Sequence, residues 1–174
     1  MPLNWLDVTL CERPLICCLR MPNLCLSEIS ELSEHVGEAL GHSRWIQIDQ
    51  ARIDAFAEAT GDRQWIHVDP ARAREESPFG GTIAHGYLTL AVVPSLLDEL
   101  IEVKECSRVV NYGIDKMRLK EAVRSGSRIR IHAQIINVRL FGGGDARVTF
   151  KVKWEIEGSE RPACLAEAVL IYYR

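Results

Sequence analysis

The stretch FAEATGDRQWIHVDPARAREESPFGGTIAHGYLTLAVVPSLLDEL, residues Phe56 to Leu100, decides how this chain reads. Its last part, Ala84 to Leu100, is apolar on nearly every face of a helix, as a helix enclosed by other elements must be. Pro94 inside it has no amide hydrogen and predicts a kink or an end. The first part carries an acid and an imidazole five positions apart, Asp62 and His67. A second imidazole, His85, stands where the loop Ser77 to Gly81 runs into the apolar helix. No other stretch of the chain concentrates reactive groups in this way.

Upstream, Asp49 is a fitting N-cap for a helix over Gln50–Ala59, with Ile53, Phe56 and Ala57 as its apolar face and Thr60-Gly61 as its end. Asp69-Pro70 pairs an N-cap with proline at the first helical position and predicts a short helix to Glu76. Earlier still, Glu28–Glu38 reads as a helix with Leu32 and Val36 on one face, and Arg44 to Ile48 as a short strand. Met1 to Leu26 is punctuated by Pro2, Pro14 and Pro22 and keeps neither apolar period. The expected organisation is therefore an N-terminal extension over 1–26, poorly structured and its first 20 residues dispensable, then one domain over 27–174.

Downstream the period changes to two. Val110, Tyr112 and Ile114 share one face, and Asp115-Lys116 shifts the phase toward Met117 and Leu119. Ile129, Ile131, Ala133 and Ile135 alternate with polar residues until the phase flips at Ile136, which predicts a bulge. Gly142 to Asp145 turns the chain into a strand marked by Val148, Phe150, Val152, Trp154 and Ile156. Ala163 to Tyr173 is apolar enough for a central strand buried on both faces. Helices followed by long antiparallel strands give an α+β class, with one sheet curled round one long apolar helix. Such a sheet leaves an open edge that a second copy would cover.

At 174 residues, 47% hydrophobic and 26% charged, the chain fits one globular domain. A net charge of −3 gives no footing for nucleic acid, and no apolar run reaches the roughly 18 residues of a membrane helix. The six cysteines include no C-x-x-C pair, and no signal-peptide pattern leads the sequence, so reduced thiols and a cytoplasmic setting are expected.

A carboxylate and an imidazole sharing one water form an acid–base pair. Five extended residues would separate Asp62 and His67 by up to about 17 Å, and a turn at Asp62-Arg63-Gln64 closes that gap. Taken alone, the pair reads more readily as a loop acid on nearby amides and a half-buried histidine on a carbonyl. The amide of Gly86 begins the helix, where amides lack internal partners and favour negative charge. Gly86 is open to two readings, a tight-packing glycine or a seat for a thioester oxygen. His85 is a ligand contact or a cap, and the cap is expected. No histidine and acid set has convincing metal spacing, and His132 is expected to be a solvated strand residue. Ser125-Gly126-Ser127 lacks the nucleophile elbow, and Gly142-Gly143-Gly144 lacks the dinucleotide pattern. Arg118, Lys120, Arg124, Arg128 and Arg130 are either a solvated face or a landing strip for an anionic carrier such as coenzyme A.

The run from Phe56 through Asp62 and His67 to Pro70, followed by Thr82-Ile-Ala-His-Gly86, resembles the hydratase 2 motif of MaoC-like dehydratases, the (R)-specific enoyl-CoA hydratases, and their NodN-like members. The resemblance covers roughly Arg44 to Tyr173 and implies a hot-dog fold working as a homodimer. It implies hydration of trans-2-enoyl-CoA to (R)-3-hydroxyacyl-CoA with no metal or other cofactor, coenzyme A entering only as part of the acyl-CoA substrate. It implies Asp62 and His67 as the catalytic pair and Gly86, with His85 and Gln64, as the oxyanion and substrate-binding group. Gln64-Trp65 departs from the family's Asn-Pro, and Pro94 stands where some relatives carry a supporting serine. Two rivals share the fold: an acyl-CoA thioesterase, and a subunit that binds acyl chains without turning them over.

Overall fold

The computed structural model describes residues 22–174; the expectation for the extension therefore lies outside the described residues as far as residue 21. Leu24–Leu26 forms a first strand, β1, paired in parallel with β4, Ile101–Val103, and Leu26 is buried. The packed unit thus begins ahead of the expected boundary at Ser27. No helix among these residues is long and apolar enough to cross a membrane.

The main sheet has six strands. They are β2 (Ala39–His42), β3 (Ile46–Ile48), β5 (Arg108–Leu119), β6 (Ser127–Leu140), β7 (Ala146–Ile156) and β8 (Cys164–Tyr173). Their order is β2-β6-β7-β8-β5, with β3 also on β6, and every pairing is antiparallel. The alternation read from the sequence selects the inner face. Ile129, Ile131 and Ile135 of β6 and Val148, Phe150, Val152 and Trp154 of β7 are all fully buried. The β6–β7 register slips between Ile135 and Asn137, at the phase flip around Ile136. A second slip between Asp115 and Arg118 coincides with a positive φ of 50° at Lys116. Strand β8 is not buried on both faces throughout. Only Ala168 to Leu170 is buried in succession, because among the described residues no layer covers the outer face of the sheet, where Glu167 pairs with Lys116.

Two helical expectations need correction. Residues Ile29–His35 form a 3-10 helix rather than an α-helix over Glu28–Glu38. Its period is three, so Ile29 and Leu32 are the buried pair, while Val36 is 48% exposed. The capping box joins Glu28 to Glu31. The long apolar helix is also broken, into α4 (Gly86–Ala91) and α5 (Val93–Leu97). Pro94 offers no amide to the carbonyl of Leu90, and the break falls just before it at Val92. Both halves still bury Leu88, Val93, Leu96 and Leu97 against the sheet.

The Nε1–H of Trp154, in the middle of β7, donates to the carbonyl of Thr89 at 2.8 Å, both residues being buried. This bond fixes the height of α4 on the sheet. Trp154→Phe leaves that carbonyl without its donor, and the expected loss of stability is about 1–3 kcal/mol, read from urea unfolding. An unchanged midpoint would show that the helix is held by apolar contact alone.

Candidate active site

Helix α1 (Gln50–Thr60) is started by the Asp49 carboxylate, which accepts from the Arg52 amide at 2.9 Å. It ends at Gly61, whose φ of 77° belongs to the left-handed region that glycine enters at least cost. This stop places Asp62 immediately beyond the helix. His67 does not lie on a loop: it sits in α2, the single turn Trp65–Val68, followed by α3 (Pro70–Glu76) with Asp69 as its cap.

The fold brings Asp62, His67 and His85 together, with one ligand atom of each within 4.8 Å of the others. The Nδ1–H of His67 donates to the carbonyl of Ile83 at 2.7 Å, which leaves Nε2 as the lone-pair nitrogen. The amide of Ile83 in turn donates to the carbonyl of Ile66 at 3.0 Å, so α2 and the loop before His85 are stitched in both directions. Burial pushes the His67 pKa below its ordinary value of 6.5, and the neighbouring His85 adds to this. The Ile83 bond and the Asp62 charge oppose the shift without cancelling it.

His85 occupies the position before α4, but its side chain caps nothing. Its Nε2–H donates to the backbone carbonyl of Asp62 at 2.8 Å, and its ring stacks on His67 with centroids 3.8 Å apart and 28° between planes. Its Nδ1 is sealed from solvent and has no partner. Asp62, His67 and His85 are also the one group among the described residues close enough to share a metal ion. Gln64 donates to Asp62 Oδ1 at 3.2 Å and so orients the acid. Trp65 lies under the Arg72 guanidinium, 4.4 Å from its ring centroid, and takes no part in the cavity wall.

His67 and Gly86 line one cavity of about 270 Å³, together with Phe79, Thr89, Lys120 and Val123 among others. The basic span does not form one strip. Arg128 pairs with Glu157 at 2.9 Å, while Arg130 pairs with Glu155 at 2.7 Å and covers Trp45. His132 is half-buried instead of solvated and joins the same Glu155, whose carboxyl is held at about 2 chiefly by Arg130. Lys120 is the member of the span that reaches the cavity. Cys25, Cys106 and Cys164 are free thiols, and the other cysteines lie outside the described residues.

One contributor was not foreseen. The Gln50 Nε2 donates to the His67 carbonyl at 2.7 Å and to Asp54 Oδ1 at 2.8 Å, while Gln50 Oε1 accepts from the buried Thr82 hydroxyl at 2.5 Å. Both donors and the acceptor are used, which fixes the amide's orientation. One side chain therefore ties α1, α2 and the loop before His85.

The sequence of residues 31–154 matches the MaoC like domain. The chain belongs to this MaoC-like family. It is 43% identical over 144 residues to 3-hydroxyacyl-thioester dehydratase Z of Mycobacterium tuberculosis, covering 83% of this chain and 95% of that protein. It is 43% identical over 152 residues to nodulation protein N of Rhizobium meliloti, covering 87% and 92% respectively. Among solved structures, the (R)-hydratase of A. caviae involved in PHA biosynthesis superposes with a TM-score of 0.61 at 23% identity, covering 78% of this chain and 94% of that one. The MaoC-like dehydratase of Rhodospirillum rubrum gives 0.64 at 22%, covering 80% and 92%. The architecture is that of the hot-dog fold, its central helix interrupted before Pro94.

Folding lowers the His67 pKa, so between the folded value and 6.5 the unfolded chain binds more protons at this site. Its contribution to stability is therefore complete above pH 6.5 and lost as pH falls through the folded value. NMR titration of the imidazole should give a midpoint below 6.5, and Gln50→Ala, which frees the His67 turn to admit water, should move it upward. An unshifted midpoint in that variant would deny Gln50 its role.

Proposed function

We propose that the protein is a hydro-lyase that adds water reversibly and (R)-specifically to trans-2-enoyl-CoA, giving (R)-3-hydroxyacyl-CoA, with Asp62 and His67 as its catalytic pair. The observation that carries this is the free Nε2 of a neutral His67, beside the Asp62 carboxylate and on the wall of the cavity that also meets Gly86. The relatives named dehydratase and (R)-hydratase support the reaction class.

The thioester carbonyl rests against the Gly86 amide. Water sits between two acceptors, His67 Nε2 and the Asp62 carboxylate. One water proton passes to Nε2 as oxygen bonds to C3, and the π electrons move toward the thioester oxygen. The imidazolium then gives its proton to C2, which restores neutral His67. Asp62 holds the second hydrogen of the water and stabilises the transient imidazolium, with Gln64 orienting its carboxylate. No redox step occurs, and no cofactor is called for beyond the coenzyme A of the substrate.

Removing either half of an acid–base pair costs about 10²–10⁴ in rate. Asp62→Asn and His67→Gln should each slow hydration of crotonyl-CoA at least a hundredfold, as followed by loss of enoyl-thioester absorbance. Full activity in either variant would remove that residue from the chemistry. Release of free thiol from the same substrate would point instead to a thioesterase.

The working unit is proposed to be a homodimer joined along β5. That strand ends the sheet and exposes Val109, Val110, Tyr112 and Ile114. Beside it runs a cavity of about 510 Å³ walled by Phe56, Tyr87, Leu90 and Tyr112, among others. Light scattering should give twice the chain mass, falling to one chain in Val110→Lys/Tyr112→Lys; a monomeric mass for the unaltered protein would overturn the dimer.

A further inference from the structure

Thr89 is 3% exposed and lies on the wall of the cavity that holds His67 and Gly86. A buried hydroxyl is ordinarily hydrogen-bonded within the protein. In a helix, threonine ordinarily bonds back to the carbonyl three or four residues earlier. Here that carbonyl, His85 O, receives the amide of Thr89 itself at 3.2 Å, and among the described residues the Thr89 hydroxyl makes no hydrogen bond. Nor is the hydroxyl sealed away, since His85 Nδ1 is the one sealed side-chain polar atom without a partner among the described residues. The hydroxyl is thus an unused donor on a residue that lines the catalytic cavity.

Its place relative to Gly86 gives it a task. Thr89 follows Gly86 by three residues in α4, one turn along the same face. Helical side chains lean toward the helix N-terminus, so the Thr89 side chain leans over the turn headed by the Gly86 amide. Its backbone is anchored from the sheet by the Trp154 Nε1–H, 2.8 Å from the Thr89 carbonyl. We propose that the Thr89 hydroxyl is a second donor to the thioester oxygen, beside the Gly86 amide. This rests on the hydratase reading of the site. As water oxygen bonds to C3 and electron density moves onto the thioester oxygen, the fixed Gly86 amide and the Thr89 hydroxyl, whose rotor is free to turn, both face it. The same pair serves dehydration, in which the enolate-like oxygen forms from the other side.

The test uses Thr89→Val, which keeps the shape and the carbonyl that Trp154 binds, and Thr89→Ser, which keeps the hydroxyl. Removing an oxyanion donor costs roughly 10²–10³ in turnover. Thr89→Val should therefore lower kcat for crotonyl-CoA hydration by at least about tenfold with little change in KM, and Thr89→Ser should stay within about threefold of the unaltered protein. The deciding readout avoids turnover. Butyryl-CoA labelled with ¹³C at its carbonyl is saturated and cannot be hydrated, and its bound C=O stretch reports the donors on that oxygen. Thr89→Val should raise this frequency toward the free value, whereas Thr89→Ser should not. An unchanged frequency in Thr89→Val overturns the assignment whatever the rates do. If the unaltered protein neither binds butyryl-CoA nor hydrates crotonyl-CoA, the hydratase reading falls and this donor with it. If it hydrates crotonyl-CoA and the stretch does not move, only Thr89 falls.

Discussion

A helix surrounded by a curled sheet has no water to satisfy its backbone, so any break in it must be repaired from the sheet. Pro94 falls at such a break between α4 and α5, and one turn before it the Trp154 indole gives the Thr89 carbonyl a donor from the sheet. Trp154 lies at the centre of the chain's clearest alternating strand, and Val152 and Ile156 on the same face bury the surrounding area. The helix is thereby set at one height, which in turn sets where the Gly86 amide meets the cavity. Glycine at that point also leaves room for Leu119 of β5, since a Cβ there would come within 2.4 Å of its methyl carbon.

The electrostatics of the site follow from the same enclosure. His67 is 6% exposed and pressed against a second imidazole, an environment hostile to a positive ring. Its Nδ1–H is committed to the Ile83 carbonyl, so the neutral ring presents Nε2 as an acceptor and not as a second donor. The stack with His85 also links the backbone of Asp62 to the ring of His67 through one rigid aromatic pair. The two imidazoles are therefore each held by a backbone carbonyl, Gln64 orients the acid, and Gln50 holds the His67 backbone.

What the sequence made legible was local. Asp49 and Asp69-Pro70 announce helix starts because a cap and its amide are three residues apart, and Gly61 announces a stop because its left-handed φ disfavours side chains. Alternation gave the inner faces of β6 and β7, and even the slip at Ile135–Asn137, because a bulge flips the phase where it occurs. The parallel pairing of Leu24 with Ile101 had no such signal, since nothing in a three-residue strand records a partner far along the chain. The 3-10 helix was missed because Leu32 and Val36 fit a period of 3.6 as well as Ile29 and Leu32 fit a period of three. Gln50, Thr82 and Trp154 were invisible as site residues because each acts through a hydrogen bond to a distant group, and side-chain type alone does not name an acceptor.

The polar groups of the site separate by what they are already doing. The His67 Nδ1–H, the His85 Nε2–H and both ends of the Gln50 amide are consumed inside the protein, and the Asp62 carboxylate gives one oxygen to Gln64. Two kinds of open valence remain. Acceptors, at His67 Nε2 and the Asp62 carboxylate, lie close together, with His67 on the cavity wall, and on the proposed reading helix α4 brings donors at Gly86 and Thr89 to the same cavity. A molecule that satisfies both must bring protons to the first and an oxygen to the second. A water beside a conjugated thioester meets that requirement with atoms that react together. In the proposed reaction, the separation of donors from acceptors, more than the presence of any one residue, is what would suit this cavity to adding water across a double bond next to a carbonyl.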